Sequence, residues 1–566
     1  MDKPTLSRRG GGLVTGCPST MGDDYPLNTT TLIRHAARTY GDQEILYHNA
    51  AGGWERYTYR DCYDRVGRAA NALRSLGVGP GDRVGVLDWN TRRYFELYYA
   101  IPGLGAVLLQ LNLRLSPDEL AYIVNHSNAT HICVDETMLP LAEMLAPHVP
   151  GVKAWIIMTD KPLHEIDTSL RPLHHHEDQL AAAAPLADWP MIDERSAYAA
   201  CYTSGTTGRS KGIYYSHRSI YLHSLSLAVM VGMTMDDCTM LITPMFHAQG
   251  WGLPQAATLM ANKILLPGRY SADDAALLID AMIAEGVTIA SGVPSILLPL
   301  LSYIRSLPIK PAFGRLRLLC GGSEPPLSLF TGWHELTGAE IIHAYGGTET
   351  SPLMTVNRLK STLRGRLTTE EEWNLRRTQG LPGIGVDVKI LAEDGREMPH
   401  DGKSVGELCA RGPWIAASYH DMPEAADRFV DGYWRSGDLG TIDANGYLKL
   451  TDRLKDVIKS GGEWISSIDM ENALMEHTAV REAAVVGLPH PRWQERPLAL
   501  VVPESGKQAT PAELIEHLAR TFERWQLPDR ILLVDSIPKT SVGKLNKKAI
   551  RAEYVGLYTQ PGGSEV

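Results

Sequence analysis

Short, β-rich apolar runs alternate with helical patterns along this chain up to about residue 450. Helix starts are legible in the printed sequence. In "SPDE", Ser116 is a candidate N-cap and Glu119 a capping-box partner. The stretch "SADDAALLIDAMIAEG" predicts a helix that ends at Gly286. This alternation predicts an α/β fold.

The chain length requires more than one domain, because single hydrophobic cores stop growing near roughly 250–300 residues and this chain has 566. The segment "TDRLKDVIKSGGEWIS" is charged and then glycine-rich, so we place a boundary near Leu454. The predicted units are a flexible tail over 1–27, a large domain over 28–454 and a small domain over 455–566. The tail has a basic patch without the apolar region of a signal peptide.

Composition excludes several classes of function. A net charge of -10 and a pI of about 6.0 argue against nucleic-acid binding. Seven scattered cysteines favour a reducing cytoplasm over a disulfide or zinc framework. The most apolar stretch is interrupted by Asp280, Glu285 and two prolines, so no integral membrane segment is expected. Three histidines at 174–176 lie in an Ala/Pro-rich connector and predict a loop, not a metal site.

The stretch "YTSGTTGRSK" at 202–211 indicates a phosphate-binding loop. Glycines allow close backbone approach, consecutive N–H groups bind anions, and Lys211 adds a positive charge. The loop is not a Walker A motif, because Ser210 stands where the second glycine should be. By itself it is also compatible with a mobile Ser/Gly linker.

Five further motifs accompany this loop, in order: "GGSEPP" (321–326), "YGGTETSP" (345–352), "YWRSGDLG" (433–440), "DRLKDVIKSGGEWISS" (452–467) and "IPKTSVGKLNKKAIR" (537–551). Together they resemble the adenylate-forming superfamily of acyl-CoA synthetases, luciferases and adenylation domains, and most resemble bacterial fatty-acyl-CoA synthetases. The resemblance implies a multi-subdomain N-terminal α/β domain with a small, mobile α+β C-terminal domain. It also implies ATP, Mg²⁺ and coenzyme A as cofactors, and a homodimer.

The resemblance assigns most of the nucleotide site. Asp438 would accept both ribose hydroxyls, although it also fits an Asx-turn. Tyr345 would face adenine, although a buried tyrosine is more often core. The residues implied for ATP or AMP are Thr203, Ser204, Gly205, Thr206, Thr207, Gly208, Lys211, Gly322, Ser323, Glu324, Tyr345, Gly346, Asp438 and Arg453.

Glu349 would hold Mg²⁺ with Thr206, since this ion takes hard oxygen ligands from carboxylates and phosphates. Thr348 would contact a phosphate oxygen. Without the motif, Glu349 reads as a solvated carboxylate in a turn. Lys544 is implied as the adenylation lysine, which would stabilise charge at the α-phosphate. Lys547 and Lys548 stand nearby, so a solvated basic cluster is the alternative.

Lys455 resembles the hinge about which the small domain rotates between two half-reactions. The coenzyme A path implied by the resemblance comprises Lys459, Gly461, Gly462 and Trp464. Without it, this segment is a charged surface strand and a tight turn.

The stretch "FHAQGWGLP" implies an acyl pocket bordered by His247, Gln249, Gly250, Trp251 and Gly347, in which the tryptophan acts as a gate in related synthetases. A His–Trp pair in packed core is the alternative. The stretch lacks the aspartate that amino-acid-activating relatives use, so the substrate is expected to be an apolar carboxylic acid.

Ser210 departs from the family, which has proline at this position. Proline fixes φ, so serine is expected to loosen the loop and weaken ATP binding or adenylation. The predicted function is an acyl-CoA synthetase. The alternatives are a ligase that performs mainly thioesterification of a supplied acyl-AMP, an amide or carrier-protein ligase, and a non-catalytic nucleotide or acyl sensor.

Overall fold

The computed structural model describes residues 17, 19–22, 24–203, 209–271, 274–461, 463–504, 506–539 and 545–559. The helices of these residues are α1 (Thr30–Thr39), α2 (Tyr59–Ser75), α3 (Arg92–Gly103), α4 (Pro117–Ser127), α5 (Leu139–Leu145), α6 (His176–Ala182), α7 (His217–Val231), α8 (Leu253–Leu259), α9 (Ala275–Glu285), α10 (Pro294–Ser306), α11 (Leu327–Thr337), α12 (Thr369–Arg377), α13 (Ser467–Glu476), α14 (Pro511–Leu518) and α15 (Lys547–Tyr554).

The strands are β1 (Glu44–His48), β2 (Trp54–Thr58), β3 (Arg83–Leu87), β4 (Val107–Gln110), β5 (His131–Asp135), β6 (Ala154–Met158), β7 (Leu173–His175), β8 (Ala197–Thr203), β9 (Lys211–Ser216), β10 (Cys238–Met240), β11 (Lys263–Leu266), β12 (Ile289–Gly292), β13 (Arg317–Cys320), β14 (Glu340–Gly346), β15 (Leu353–Val356), β16 (Leu381–Pro382), β17 (Asp387–Leu391), β18 (Gly406–Arg411), β19 (Phe429–Val430), β20 (Tyr433–Ile442), β21 (Leu448–Arg453), β22 (Ile458–Ser460), β23 (Glu463–Ile465), β24 (Val480–His490), β25 (Gln494–Pro503) and β26 (Arg530–Leu533).

Two large, mainly parallel sheets form the N-terminal domain. One has the order β7-β6-β5-β3-β4-β8-β9, and the other has the order β16-β15-β14-β13-β12-β10-β11-β1-β2. Helices α1, α2, α3, α7 and α8 share one hydrophobic core with strands of both sheets, so they lie between them. Helices α4 and α5 cover the outer face of the first sheet, and α9, α10 and α11 cover that of the second. This layering matches the predicted α/β class.

Two smaller sheets follow. β17-β18-β20-β19 forms the first, with β21 paired to β20. The C-terminal sheet has the order β23-β22-β25-β24 with β26 paired to β25, and it packs against α13 and α14 on one face and α15 on the other. The small α+β C-terminal unit predicted from the sequence is therefore present. The boundary at Leu454 and the tail over 1–27 remain predictions.

Of two local predictions from the sequence, the structure confirms one and contradicts the other. Helix α9 ends at Glu285 with Gly286 at φ 65, as the sequence predicts. The loop predicted at 174–176 is wrong, because these residues form the end of β7 and the start of α6. His175 caps α6, because its ring nitrogen accepts a hydrogen bond from the Asp178 N–H. The polar segment can therefore form the edge strand of the sheet and begin the next helix. Over the described ranges, no helix is long and apolar enough to span a bilayer.

Candidate active site

A cavity of about 1050 Å³ lies where parallel strands end. Its walls include residues at or just after the carboxyl ends of β8, β10, β12, β13 and β14, together with parts of β20 and β21. Ligands of open α/β sheets bind at such ends, because the loops there can vary without disturbing the sheet. The cavity is therefore the candidate active site.

Three predicted nucleotide residues meet on one wall of this cavity. The Tyr345 hydroxyl donates a hydrogen bond to Asp438, and Arg453 Nε lies 3.4 Å from Asp438 Oδ1. β20 and β21 pair directly at Asp438 and Arg453, so the sheet register fixes this ion pair. Burial, followed by the negative charge of Asp438, raises the pKa of Tyr345, so the phenol stays a donor. One Asp438 oxygen is thus bound to a phenol and the other faces a guanidinium.

Glu349 and Lys211 both contact Tyr419, a residue that no motif indicated. The Tyr419 hydroxyl donates to Glu349 Oε1 at 2.7 Å, and Lys211 Nζ lies 4.8 Å from the centre of the Tyr419 ring. Thr348 is buried beside Glu349, and its carbonyl accepts from the Tyr215 hydroxyl at 2.9 Å. A carboxylate and a cation are therefore held in one cavity wall by a shared aromatic residue.

The glycine-rich loop itself, Ser204 to Gly208, lies outside the described residues, but both of its flanks are described. Thr203 ends β8 and Lys211 begins β9, and both line the cavity. Ser210 is buried, and its backbone N–H donates to Glu119 Oε1 at 2.8 Å. Arg209 lies over the Tyr122 ring at 4.7 Å. Proline could not make the Glu119 contact, so serine replaces a fixed φ with a hydrogen-bonded tether.

The same contact revises the predicted capping box. The Ser116 hydroxyl accepts from the Glu119 N–H at 3.3 Å, as an N-cap should. The Glu119 carboxylate, however, reaches across to Ser210. Only the Ser116 half of the predicted capping box is therefore formed, and the Glu119 carboxylate instead holds the end of the glycine-rich loop at Ser210.

The predicted acyl wall divides into two groups. His247, Trp251 and Gly347 line the cavity. Gln249 and Gly250 are fully buried in the turn that carries Trp251. The first group can contact a ligand, and the second shapes the wall from behind.

The residues of the predicted adenine-flanking turn also face two different parts of the protein. Gly322 lines the cavity, whereas the Glu324 carboxylate faces the C-terminal domain and accepts from Asn472 Nδ2 at 2.9 Å. Arg377 contacts both Glu324 at 3.4 Å and Glu476 at 3.2 Å. Burial raises the pKa of Glu324 to about 7 although Arg377 opposes the shift. Ser323 is exposed beside it.

The C-terminal domain completes the cavity. Leu545, Asn546, Lys547, Lys548 and Arg551 line it, together with Lys455 at the predicted hinge. Burial, followed by the charge of Arg453, lowers the pKa of Lys455. Lys544 lies outside the described residues, but its neighbour Leu545 is in the cavity wall.

Lys547 is not the solvated cation of the alternative interpretation. Its ammonium lies 2.8 Å from Glu471 and donates to the Ser467 hydroxyl at 2.5 Å. Its charge is therefore paired with a carboxylate of the C-terminal domain. This pairing makes Lys547 a weaker candidate than Lys544 for the adenylation lysine.

Comparisons with known proteins identify the family of this chain. A family model described as AMP-binding enzyme matches residues 33–420, and one described as AMP-binding enzyme C-terminal domain matches residues 469–544. A long-chain-fatty-acid–CoA ligase of Thermus thermophilus is 43% identical, with 96% of this chain and 98% of that protein covered. The chain belongs to the AMP-binding enzyme family.

Two further AMP-binding enzymes are informative. A 3-methylmercaptopropionyl-CoA ligase of Ruegeria lacuscaerulensis is 38% identical, with 94% of this chain and 97% of that protein covered. The crystal structure of the anthranilate CoA ligase AuaEII in complex with anthranoyl-AMP has a TM-score of 0.81. It is 23% identical and covers 94% of this chain and 98% of its own, which shows the shared fold.

As a CoA ligase of the AMP-binding family, this enzyme uses ATP, Mg²⁺ and coenzyme A. The residues present fit the ion. The described residues contain no cluster of three or more acidic, His or Cys side chains that could hold a metal. Glu349 would supply one protein carboxylate to the ion, and Mg²⁺ commonly completes its shell with phosphate oxygens and water.

Of the predicted coenzyme A residues of this AMP-binding enzyme, Lys459, Gly461 and Trp464 do not line the cavity. Lys459 and Trp464 pair across the β22–β23 hairpin, and Gly461 turns it with φ 62. Trp464 is 42% exposed. Gly462 lies outside the described residues. The tip of the hairpin, with Gly461, Glu463 and Trp464, is exposed, whereas Ile458, Ser460 and Ile465 are buried.

Proposed function

We propose that this acyl-CoA ligase activates an apolar carboxylic acid with ATP to acyl-AMP and pyrophosphate, and then transfers the acyl group to coenzyme A. The observation that carries the proposal is the single cavity that joins Lys211, Glu349 and Asp438 to the Leu545 wall of the C-terminal domain. A cation, a carboxylate and a ribose acceptor in one site suit a nucleoside triphosphate, and Leu545, the neighbour of Lys544 in sequence, lines the same cavity.

In the first half-reaction, Asp438 and Arg453 hold the ribose, and Tyr345 packs against adenine. Lys211 and the 204–208 loop bind phosphates, while Glu349 and Thr206 would hold Mg²⁺. When bound, Mg²⁺ supplies charge neutralisation at the phosphates. Lys544 stabilises the charge that develops as the acid carboxylate attacks the α-phosphate and pyrophosphate leaves.

In the second half-reaction, the C-terminal domain turns about Lys455, and the β22–β23 hairpin faces the cavity. Lys459, Gly461, Gly462 and Trp464 then border the coenzyme A path. Support comes from the exposure of Trp464 at the hairpin tip, because tryptophan is enriched among the residues that dominate binding energy at interfaces.

The acid contacts His247, Trp251 and Gly347. Apolar residues dominate the nearby wall, including Phe246, Val293 and Ile296. Burial contributes about 0.8 kcal/mol per CH₂ group, which is enough for an apolar acid to bind without a charged partner beyond its carboxylate.

The test is mass spectrometry of the purified protein with ATP, Mg²⁺ and a panel of acids, with and without coenzyme A. We expect acyl-AMP without coenzyme A and acyl-CoA with it. Acyl-AMP that persists after coenzyme A is added would indicate an amine or carrier-protein acceptor. Thioester formed only from supplied acyl-AMP would indicate that the first half-reaction has been lost.

We also propose a homodimer in a reducing cytoplasm. The dimer rests on the resemblance to fatty-acyl-CoA synthetases, and the compartment on seven free cysteines, six of which are buried. Light scattering coupled to size exclusion would give the mass of the particle, and a monomer at micromolar concentration would contradict the dimer.

A further inference from the structure

A short segment before β19 brings to the cavity wall an arginine that stands in none of the motifs. Arg428 ends the 3₁₀ segment Pro423–Arg428, lines the cavity and is half-buried. The next two residues form β19, which pairs with β20 so that Phe429 lies opposite Trp434. β20 continues to Asp438. One β-hairpin therefore carries both Arg428 and the predicted ribose acceptor.

The Arg428 guanidinium packs against the turn that leads to Asp438. Its Nη2 donates to the Ser436 carbonyl at 2.9 Å. Gly437 makes room for the guanidinium, because an added Cβ would lie 3.0 Å from Arg428 Nη2 and 3.3 Å from Nη1. The Ser436 hydroxyl accepts from the Asp438 N–H at 3.0 Å and so fixes the same turn. The guanidinium therefore contacts the residue that precedes the ribose acceptor.

Arg428 is also close enough to Tyr419 to act on it electrostatically. Its neighbour Phe429 packs edge to face against the Tyr419 ring, with 5.2 Å between the ring centres. Burial, followed by the charge of Glu349, raises the pKa of Tyr419, and the positive charge of Arg428 opposes this rise. Since Tyr419 holds Glu349, Arg428 lies near both the ribose wall and the Glu349 wall of the cavity.

The charge of Arg428 has no carboxylate partner within ion-pair distance in the described part of the chain. Other cations of the cavity wall are each paired with a carboxylate: Arg453 with Asp438, Lys547 with Glu471 and Arg551 with Asp456. A guanidinium presents its N–H groups in a planar fork that suits the oxygens of a phosphate. Arg428 is therefore available to an anionic ligand.

The phosphate that such a ligand would place there is the α-phosphate. In the proposed function, Asp438 holds the ribose and Glu349 the Mg²⁺ at the phosphates. The α-phosphate joins the ribose to the rest of the ligand in ATP and in acyl-AMP alike, so it lies between these two anchors. Lys544 belongs to the C-terminal domain and leaves with it for the second half-reaction. Arg428 precedes the predicted boundary at Leu454 and stays.

We propose that Arg428 binds the α-phosphate in both half-reactions and stabilises AMP as it departs. The inference rests on the proposed function and adds to it a cation that does not move with the C-terminal domain. In the first half-reaction, an oxygen of the acid carboxylate bonds to the α-phosphorus, the bond to the β-phosphate oxygen breaks, and pyrophosphate keeps the electron pair.

The second half-reaction places more charge on the group that Arg428 would hold. The coenzyme A thiol loses its proton to solvent, the sulfur bonds to the acyl carbon, and the bond between this carbon and the AMP oxygen breaks. The AMP oxygen keeps the electron pair, so the α-phosphate gains one negative charge. A fixed guanidinium beside this phosphate favours the charge as it develops, without having to reorganise.

The variants separate a phosphate contact from a structural role in the turn. Arg428→Gln keeps a donor for the Ser436 carbonyl and removes the charge, whereas Arg428→Met removes both. Arg428→Lys keeps the charge without the planar fork. The matched control is Arg411→Met, because Arg411 lies in the same sheet, pairs with Asp387 at 2.9 Å and does not line the cavity.

The first readout is the affinity for AMP and for adenosine, measured by isothermal titration calorimetry without acid or coenzyme A. Arg428→Gln and Arg428→Met should weaken AMP binding by about tenfold or more, the scale of a hydrogen bond to a charged group, and leave adenosine binding within about twofold of wild type. Arg428→Lys should recover part of the AMP affinity, and Arg411→Met should match wild type with both ligands.

The second readout is single-turnover kinetics of each half-reaction. Thioester formation from supplied acyl-AMP should slow by about tenfold or more in Arg428→Gln and Arg428→Met, since the departing phosphate loses its charged contact. Acyl-AMP formation should slow in the same variants. Lys544→Ala, by contrast, should slow acyl-AMP formation and leave thioester formation unchanged.

Three outcomes would overturn the inference. Equal weakening of AMP and adenosine binding would show that Arg428 only holds the turn before Asp438. Unchanged AMP affinity in both Arg428→Gln and Arg428→Met would exclude the phosphate contact. Normal thioester formation in a variant with weakened AMP binding would exclude a role in AMP departure. Wild type that binds neither AMP nor adenosine would instead contradict the nucleotide site of the proposed function, so the two failures are distinguishable.

Discussion

At the scale of single residues, Tyr419 connects the two charged groups on which the proposed adenylation depends. Its hydroxyl holds Glu349 and its ring lies under Lys211. Burial, and then the charge of Glu349, raises the pKa of Tyr419. The phenol therefore remains a donor throughout the working pH range.

We predict that Tyr419→Phe slows adenylation about tenfold, since a hydrogen bond to a charged group contributes roughly 1.5–3 kcal/mol. The ring, and with it the Lys211 contact, is kept. Pyrophosphate release at varied Mg²⁺ measures the effect, which should appear as a weaker response to Mg²⁺. Tyr558→Phe is the control, because its hydroxyl donates to the Pro497 carbonyl within the C-terminal domain. Equal loss in both variants would contradict the role of the Glu349 contact.

The Ser210 tether makes a second prediction at this scale. Glu119→Ala should raise the KM for ATP about tenfold in wild type, because it frees the loop end. It should have no effect in a Ser210→Pro background, where the backbone donor is already absent and φ is fixed. Thioester formation from supplied acyl-AMP should not change.

Asp118→Ala, in the same exposed turn, is the control for the Ser210 tether. A Glu119→Ala effect of equal size in both backgrounds would show that Glu119 acts elsewhere, for example on the stability of α4.

Sequence reasoning could find the residues that stand in motifs, such as Glu349 and Asp438, because family resemblance places them. It did not indicate Tyr419, and it assigned Glu119 only to a capping box, whereas both residues act through contacts across the fold. Glu119 lies 91 positions from Ser210 in the chain. Only the tertiary arrangement shows that its carboxylate leaves its own helix.

At the scale of elements, α13 is docked against the N-terminal domain by a carboxyl group. Glu324 accepts from Asn472 on α13, and Arg377 bridges Glu324 to Glu476 at the end of the same helix. Burial raises the pKa of Glu324 to about 7 from its ordinary 4.5. Docking sets Asn472 and Asp469 of α13 against this carboxyl and so adds to its burial and to the negative charge beside it, which favours the protonated form.

We predict that this docking depends on pH. Because the pKa is higher in the docked state, docking is strongest below pH 4.5 and weakens as the pH rises through about 7. Small-angle scattering from about pH 5 to about pH 8 would follow release as a growth of the radius of gyration. Glu324→Gln should abolish this dependence, and Glu335→Gln, an exposed site on α11, should retain it. An unchanged pH profile in Glu324→Gln would contradict the prediction.

Elements with strong local signals could be predicted, as α9 shows with its periodic apolar residues and terminal glycine. The segment at 174–176 could not. Its histidines read as a loop because strand β7 owes its existence to pairing with β6 at a sheet edge, and to a histidine cap that composition does not reveal. Pairing partners distant in sequence outweigh local propensity there.

At the scale of the whole molecule, the two predicted half-reactions use different faces of the C-terminal domain. Leu545 and its neighbours line the cavity, whereas the tip of the β22–β23 hairpin, with Glu463 and Trp464, is exposed. Two tryptophans of this domain have nearly equal exposure, Trp464 at 42% on the hairpin and Trp525 at 43% elsewhere.

We predict that Trp464→Ala leaves acyl-AMP formation unchanged and slows thioester formation by about tenfold or more, because a buried aromatic contact typically contributes over 1 kcal/mol. Trp525→Ala should affect neither step. Single-turnover measurements of each half-reaction would separate the two effects. A loss confined to acyl-AMP formation would show that the hairpin does not face coenzyme A.

The wall that the C-terminal domain contributes to the cavity has a hydrodynamic consequence. In the proposed cycle this wall must leave and return once per turnover, so a whole domain is dragged through solvent while the bond-making atoms stay where they are. Solvent friction on the moving domain then contributes to the turnover rate of the enzyme. Added glycerol or sucrose should slow steady-state turnover in proportion to viscosity. The rate of a single round of acyl-AMP formation should not depend on viscosity.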